Sequence, residues 1–467
     1  MFGLFAFGCF GFDQIPEPPG KPGRPDSAPV YDDTGEGVKD CEANRFDLLG
    51  QDWKLPPGFP EGSFDLPYDT SSESPNWVLM DLDGDLAQEL VVTYWEGLAG
   101  VGTSRWLVYD DEADGFGGTA TDWALPTGFP ENTFQYAYDT SSESPNWGLA
   151  SVDSDDVPEL VVTSYDPIPE LGSSAWRVFA NEGTGFASSG VDWSLPTGFP
   201  SGTFNQLSDS SSESPNWVLL DVDGDGDRDI VGTEYDGIDG LGDTRWLVYR
   251  NEAGSWSPSG DTWNLPSGFA GGEFSTHYDR STSSSPDWTL ADLTGDGVPE
   301  LVVSWWEGFE GVGSTQWMVY PPDPEGGFQA VSQSWSLPEA YPEGTFRLAW
   351  DTSADGMDWS LLDLDADGAL ELVIHRETHS GNAPTVGTTK WLVHDNMGTG
   401  FAKAPDNWVL PNGYPDQTFP AASGSSDVAY VLRDLDGDSL TDLVVTRRSD
   451  LEVVGESLWL HYPALCD

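Results

Sequence analysis

Basic side chains are scarce in this sequence. It has 18 Lys and Arg against 80 Asp and Glu, which gives a formal net charge of −62 over 467 residues. Phosphate backbones and anionic lipid headgroups both need Lys or Arg partners, so this charge excludes nucleic acid as a ligand. Such a charge also repels itself in a compact chain, and bound divalent cations would relieve part of that repulsion.

Histidine is also rare, and the five copies are scattered over the chain. No grouping of Ser, His and Asp accompanies them, and few cations are present to clamp a phosphate group. A catalytic site would break the symmetry of the repeat described below, and nothing in the sequence visibly does so. The sequence therefore predicts no catalytic residue; its histidines are His277, His375, His379, His394 and His461.

Long apolar runs are missing except at the start, where residues 1–12 read MFGLFAFGCFGF. The run is too short to span a bilayer. With Gly8 before Cys9 it resembles the end of a bacterial lipoprotein signal, although no Lys or Arg precedes it and Ala6 stands where Leu is usual. Two interpretations stay open: a lipid anchor at Cys9, or a disordered tail with a free thiol. The Pro-, Gly- and Asp-rich residues 13–40 are expected to form a flexible linker.

Turn-forming residues are abundant, with 54 Gly and 35 Pro, and 13% of the residues are aromatic. This composition is typical of an all-β repeat protein. Tryptophan shows the repeat directly, because 17 of the 22 Trp recur in three series with a period of about 70 residues. We assign these to the core. The others are better ligand candidates: Trp95, Trp256, Trp305, Trp306 and Trp350.

Each repeat contains four predicted strands, which in one copy cover 76–82, 89–95, 105–110 and 115–125. The first three are nearly continuous apolar runs, as expected for sheets covered on both faces. Four-stranded antiparallel sheets repeated around an axis make a β-propeller, and we predict six blades over residues 41–467. Seven blades, a solenoid, or a string of separate sandwiches are the alternatives.

The two ends of the repeat region complement each other. Residues 45–55 match only the fourth strand and 457–462 only the third, so together they complete one blade. Alignment places Cys41 and Cys466 in the hairpin turn that this blade lacks. We therefore predict a disulfide between them, which indicates an oxidising compartment.

An acidic loop follows the first strand of every repeat, with carboxylates at positions 1, 3, 5 and 9. Packed so closely, they would repel one another unless a hard cation bound them. Calcium accepts six to eight oxygen ligands in flexible geometry and fits this pattern. We predict up to six structural Ca²⁺ ions, held by Asp81, Asp83, Asp85 and Glu89; Asp153, Asp155 and Glu159; Asp221, Asp223, Asp225 and Asp229; Asp292, Asp296 and Glu300; Asp363, Asp365, Asp367 and Glu371; and Asp434, Asp436, Asp438 and Asp442.

Two of the loops have one carboxylate fewer than the others. The second has Ser151 at position 1, and the fourth has Thr294 at position 3. We expect these two sites to bind calcium more weakly.

The loop pattern DxDGDxxxDLVV, once per repeat, resembles the FG-GAP or VCBS repeats of integrin-α-like propellers. The resemblance covers about residues 41–467 and implies that side chains at positions 1, 3, 5 and 9 and a carbonyl at position 7 ligate calcium. The chain differs from the family in having six repeats of about 70 residues instead of seven of about 60.

These observations predict a monomeric, secreted or surface-displayed scaffold that binds an extracellular protein or carbohydrate. A bacterial outer-membrane lipoprotein is one version of this prediction, with membrane contact only through a lipid at Cys9. A calcium-dependent lectin, a propeller hydrolase and a purely structural surface protein are the alternatives.

Overall fold

The computed structural model describes residues 45–66, 75–136, 144–153, 157–209, 215–252, 254–278, 286–339, 341–348, 357–377, 385–416, 418–419, 428–451 and 453–465. Within these segments the chain forms β-strands joined by turns and contains no helix. Accordingly, no helix among them could cross a membrane. Cys9, Cys41, Cys466 and the segments 1–12 and 13–40 lie outside the described residues.

The first strand of each sheet carries a buried aromatic residue as its second or third residue, within an apolar run. Such runs form strands because β-branched and aromatic side chains pack well on a pleated surface. The six first strands are Asn76–Met80, Asn146–Ala150, Asn216–Leu220, Asp287–Ala291, Asp358–Leu362 and Val428–Arg433.

The second strand is the most deeply buried, since its first five residues are buried in every copy. Burial on both faces explains why alternation of polar and apolar residues is absent there. The six second strands are Glu89–Tyr94, Glu159–Ser164, Asp229–Glu234, Glu300–Trp305, Glu371–Arg376 and Asp442–Arg448.

The third strand is buried over most of its length, whereas the fourth strand, at the sheet edge, buries only its tryptophan. The third strands are Arg105–Tyr109, Ala175–Phe179, Arg245–Tyr249, Gln316–Tyr320, Lys390–His394 and Leu458–Tyr462. The fourth strands are Thr121–Ala124, Val191–Ser194, Asp261–Asn264, Gln333–Ser336, Asp406–Val409 and Gln51–Lys54.

All four strands of a blade pair in antiparallel order. In the sixth blade the fourth strand comes from the start of the described chain, with Gln51 opposite His461 and Trp53 opposite Trp459. The structure is a six-bladed β-propeller of four-stranded antiparallel blades, which confirms the predicted fold class.

The prediction of one continuous fourth strand over 115–125 is wrong. Residues Gly115–Phe116 pair instead with the fourth strand of the preceding blade, in parallel, with Gly115 opposite Lys54. Three other hairpins make the same parallel contact with the preceding blade. A Cβ at Gly115 would lie 2.6 Å from the backbone oxygen of Lys54, so the close approach requires glycine.

The corresponding hairpin of the sixth blade is built from both ends of the described chain. Arg45–Phe46 pairs antiparallel with Ala464–Leu465, and Arg45 pairs in parallel with Val409 of the fifth blade. The two ends therefore occupy the position that a continuous hairpin occupies elsewhere.

Six hydrophobic clusters form the core, each combining residues of adjacent blades. All 17 tryptophans of the three series are buried, which confirms their assignment to the core. The third-strand tryptophan also fixes the connection to the next blade, because the indole N–H of Trp106 donates to the carbonyl oxygen of Phe134 at 2.7 Å. The other five blades repeat this hydrogen bond.

Candidate metal sites

The acidic loops connect the first strand to the second strand, so all six lie at the same end of the blades as the hairpins between third and fourth strands. The two kinds of loop are in direct contact. The side-chain amide of Asn181, in the second hairpin, donates to the carbonyl oxygens of Leu82 (2.7 Å) and Pro158 (3.3 Å), in the first and second acidic loops. Asn396 makes the same bridge between the fourth and fifth loops.

An aspartate at position 1 shapes the loops that have one. The carboxylate of Asp81 accepts the backbone N–H groups of Gly84 (2.7 Å) and Leu86 (3.0 Å), and the third, fourth and sixth loops repeat both bonds. Gly84 has a φ of 80°, and a Cβ there would lie 2.6 Å from Cγ1 of Val157 in the second loop. Neighbouring loops therefore pack against each other.

The carboxylate at position 9 comes from the start of the buried second strand. Glu89 is 2% exposed, and its Oε2 accepts the N–H of Leu82 at 2.6 Å. Glu159, Glu300 and Glu371 make the equivalent bond in their own loops. Burial, and the neighbouring carboxylates after it, raise the pKa of Glu89 to about 9.

The first loop brings all four predicted ligands together. One oxygen from each of Asp81, Asp83, Asp85 and Glu89 lies within 4.8 Å of the others. Burial also raises the pKa of Asp81 and Asp83. Ionised carboxylates at such separations repel one another, a cation among them would relieve that repulsion, and an all-oxygen set of this kind is the one that Ca²⁺ prefers.

A partly open cavity of about 20 Å³ lies at the fifth loop, lined by Leu364, Asp365, Glu371, Val393, Asp395 and Trp408. Beside it, Oδ1 of Asp363 is buried without a hydrogen-bond partner. An unsatisfied buried oxygen is costly, and its presence beside a small acidic cavity fits an ion or a water as the missing partner. Burial raises the pKa of Asp363 to about 6 and that of Glu371 well above its usual range.

The third loop brings Asp221, Asp223 and Asp225 within the same 4.8 Å. Its fourth predicted ligand, Asp229, instead contacts Arg250, at 3.0 Å from Nη1 to Oδ2. Sequence reasoning missed Arg250, which lies at the end of the third strand.

The sixth loop recruits a residue that the sequence did not predict as a ligand. Nε2 of His461 lies 2.7 Å from Oδ2 of Asp442, and both side chains are buried. Asp436, Asp442 and His461 together form a group that could hold a metal ion. Aspartate is one methylene shorter than the glutamate found at position 9 of four loops. This difference in the sequence could have indicated that another side chain completes the sixth loop.

The second and fourth loops are the two with fewer carboxylates. Asp155 lies outside the described residues, whereas Asp153 and Glu159 are described. In the fourth loop Asp292, Asp296 and Glu300 come together, and the hydroxyl of Thr294 donates to Oε1 of Glu300 at 2.8 Å.

No family model and no curated protein sequence matches this chain. Among solved structures, a Tc holotoxin pore of Photorhabdus luminescens is 16% identical with a TM-score of 0.49; the match covers 90% of this chain but spans only 15% of that one. An Agrocybe aegerita lectin that recognises non-reducing terminal N-acetylglucosamine is 16% identical (TM-score 0.41), with 80% of this chain and 75% of that chain covered. A Penicillium chrysogenum α-L-arabinanase, complexed with arabinobiose, is 12% identical (TM-score 0.34), with 90% and 98% covered.

Half-buried aromatic residues mark the opposite end of the blades. The ring of Trp306 stacks between Phe269, at 4.4 Å, and Phe309, at 4.8 Å, and Phe309 is 49% exposed. Trp95 packs against Phe59, and Trp305 lies under the guanidinium of Arg347. These three tryptophans are thus partly accessible, as expected for ligand candidates.

The other two tryptophan candidates differ. Trp256 is 1% exposed and packs against Trp176 and Trp193, so its assignment as a ligand candidate is wrong. It occupies the position that phenylalanine holds in other hairpins, such as Phe186. Trp350 lies outside the described residues.

The histidines apart from His461 occupy core positions where they are described. His375 is fully buried and hydrogen-bonded to Oγ of Ser360 at 2.6 Å, and burial lowers its pKa to about 3. Burial likewise lowers the pKa of His277 and His394 to about 4. His379 lies outside the described residues.

Proposed function

We propose that this chain is an extracellular calcium-binding propeller of the FG-GAP or VCBS type, which serves as a scaffold for a protein or carbohydrate ligand. The observation that carries the proposal is the first loop, where four carboxylates, one of them buried, converge within 4.8 Å at a position that recurs in all six blades. The cavity and unpartnered oxygen in the fifth loop support it independently.

Calcium would act as a structural staple. An ion held by positions 1, 3, 5 and 9 would join the loop to the buried start of the second strand, and so fix the first two strands of the blade together. Because the first and second loops also touch and are bridged by Asn181, an ion in either loop would also stabilise the junction between these two blades. Six ions would neutralise only part of the −62 charge.

The ligand is expected at the end of the blades opposite the calcium loops. Partly accessible aromatic rings lie there, such as Trp306 and Phe309, and such rings suit stacking on a sugar or packing against a protein. A calcium-dependent lectin is the sharper form of the proposal. The hydrolase alternative gains no support from the described histidines, which lie in the core.

The metal proposal is tested by titrating the chelator-treated full chain with CaCl₂ while the melting temperature and the heat of binding are followed. We expect calcium to raise the Tm at concentrations where MgCl₂ has little effect, because Mg²⁺ demands a stricter octahedron and keeps its waters. NaCl at matched ionic strength controls for simple screening of the negative charge. Equal stabilisation by all three salts would refute the proposal.

The ligand is addressed by a glycan array probed with calcium and with chelator. Selective binding that requires calcium would support the lectin form. Absence of binding to the array, together with hydrolysis of a chromogenic glycoside panel, would favour the enzyme.

A further inference from the structure

The residue that follows the third strand faces the acidic loop of its own blade. In the fifth blade this residue is Asp395, which lines the same cavity as Asp365 and Glu371. In the first blade it is Asp110, whose charge is among those that, after burial, raise the pKa of Asp83. A charged residue at this position therefore acts on the site, and three of its six occupants are charged. The six are Asp110, Ala180, Arg250, Pro321, Asp395 and Pro463.

Arg250 is the single basic residue among these six. Its Nη1 contacts both Asp223, at position 3 of the third loop, and Oδ2 of Asp229, at position 9. The other oxygen of Asp229 accepts the backbone N–H of Asn251 at 2.8 Å. The guanidinium thus binds two of the four side chains that the loop pattern assigns to calcium.

The first and third loops differ in which carboxylates converge. Positions 1, 3, 5 and 9 converge in the first loop, whereas the group in the third loop consists of Asp221, Asp223 and Asp225. Asp229, which is only 2% exposed, is oriented towards Arg250 and Asn251. A guanidinium is charged at all physiological pH values. Its contact with the carboxylates therefore does not depend on the calcium concentration, whereas occupancy by a calcium ion does.

We propose that Arg250 is a built-in counter-ion that replaces calcium in the third loop. The inference rests on the proposed calcium binding of the other loops. It reverses the expectation from sequence that Asp221, Asp223, Asp225 and Asp229 together bind a calcium ion. A calcium ion would have to displace the guanidinium from two carboxylates before it could bind, and this lowers its affinity for the third loop.

The test counts calcium ions by native mass spectrometry and titration calorimetry on the full chain. Arg250→Gln removes the positive charge. We expect this variant to bind one more calcium ion than the wild type, or to bind calcium at one site at least about tenfold more tightly. Arg177→Gln is the matched control, because Arg177 pairs with Asp192 on the surface of the strands, at 2.6 Å and 2.9 Å. It should leave the number of ions unchanged.

A second measurement does not depend on counting ions. In chelator, Arg250→Gln should melt at a lower temperature than the wild type, since Asp223 and Asp229 lose their counter-ion. Added calcium should remove this difference in Tm. Arg250→Lys keeps the charge without the planar fork, and we expect it to resemble the wild type more than Arg250→Gln does.

The outcomes separate the two proposals. If calcium occupies the third loop of the wild type and Arg250→Gln changes neither the number of ions nor the affinity, the counter-ion role is wrong while calcium binding stands. If neither the wild type nor Arg250→Gln binds calcium at any loop, the proposed calcium binding is wrong, and the counter-ion role of Arg250 is wrong as well.

Discussion

Glu89→Gln should have opposite effects on stability with and without calcium. Burial raises the pKa of Glu89 from 4.5 to about 9, so at pH 7 the carboxyl is ionised in the unfolded chain and protonated in the metal-free fold. Taking up that proton costs about 3 kcal/mol, at about 1.4 kcal/mol for each pH unit between 4.5 and 7. Glutamine is neutral, keeps an oxygen for the N–H of Leu82 and avoids this cost.

In chelator, the variant should therefore be more stable than the wild type. With an unfolding entropy of about 2 cal/mol/K per residue, about 3 kcal/mol corresponds to a rise in Tm of roughly 3 °C for a chain of this length. In calcium the order should reverse, because the variant lacks a charged ligand in the first loop. Differential scanning calorimetry in chelator and in calcium measures both effects.

Glu131→Gln is the control, since Glu131 is exposed in the connection at the opposite end of the blades. It should shift the Tm little in either condition. If Glu89→Gln is destabilised equally in chelator and in calcium, then Glu89 is only a hydrogen-bond acceptor, and the reasoning about its buried charge is refuted.

Three further predictions concern pH, the core and closure. Burial raises the pKa of several loop carboxylates, among them Glu300 with a pKa of about 7. Their contribution to folding stability is therefore present at low pH and is lost as the pH rises through these pKa values. In chelator the Tm should fall between pH 5 and pH 9, and calcium should make the Tm less dependent on pH. A chelator profile that rises over this range would contradict it. Phe46→Ala should cost about 3–5 kcal/mol in guanidinium unfolding, because the ring is fully buried against two tryptophans of the fifth blade, whereas Leu49→Ala, at a 92% exposed site, should change little. Replacing Cys41 and Cys466 by Ser should remove roughly 4–5 kcal/mol if they form the predicted disulfide, and mass mapping under non-reducing conditions would disprove the pairing by finding both thiols free.

The sequence was sufficient for the blades because their signals are local. The tryptophan series and the apolar runs mark strands whose neighbours in the sheet are also neighbours in the chain. The pairing of Gly115–Phe116 was not predicted, because its partner, Lys54, belongs to another blade and is distant in the chain. Trp256 was misassigned because its role depends on the hairpin alignment, where it replaces a phenylalanine.

The acidic loops were equally visible in sequence, but their differences were not. Arg250 and His461 lie about 20 residues after the carboxylates that they contact, on the third strand or just beyond it. Only the pairing of the second and third strands brings them to the loop. Both accompany an aspartate at position 9, and an aspartate leaves space that a glutamate would fill.

The split hairpin has a consequence for engineering the chain. Arg45–Phe46 and Ala464–Leu465 meet in the same arrangement that Asp111–Glu112 and Gly115–Phe116 adopt within one continuous hairpin. The ring of blades could therefore be opened at another of these hairpins as well as at its present ends. A circular permutant that links the present ends and opens the chain between Ala113 and Asp114 should assemble the same six blades, with the seam moved by one position around the axis.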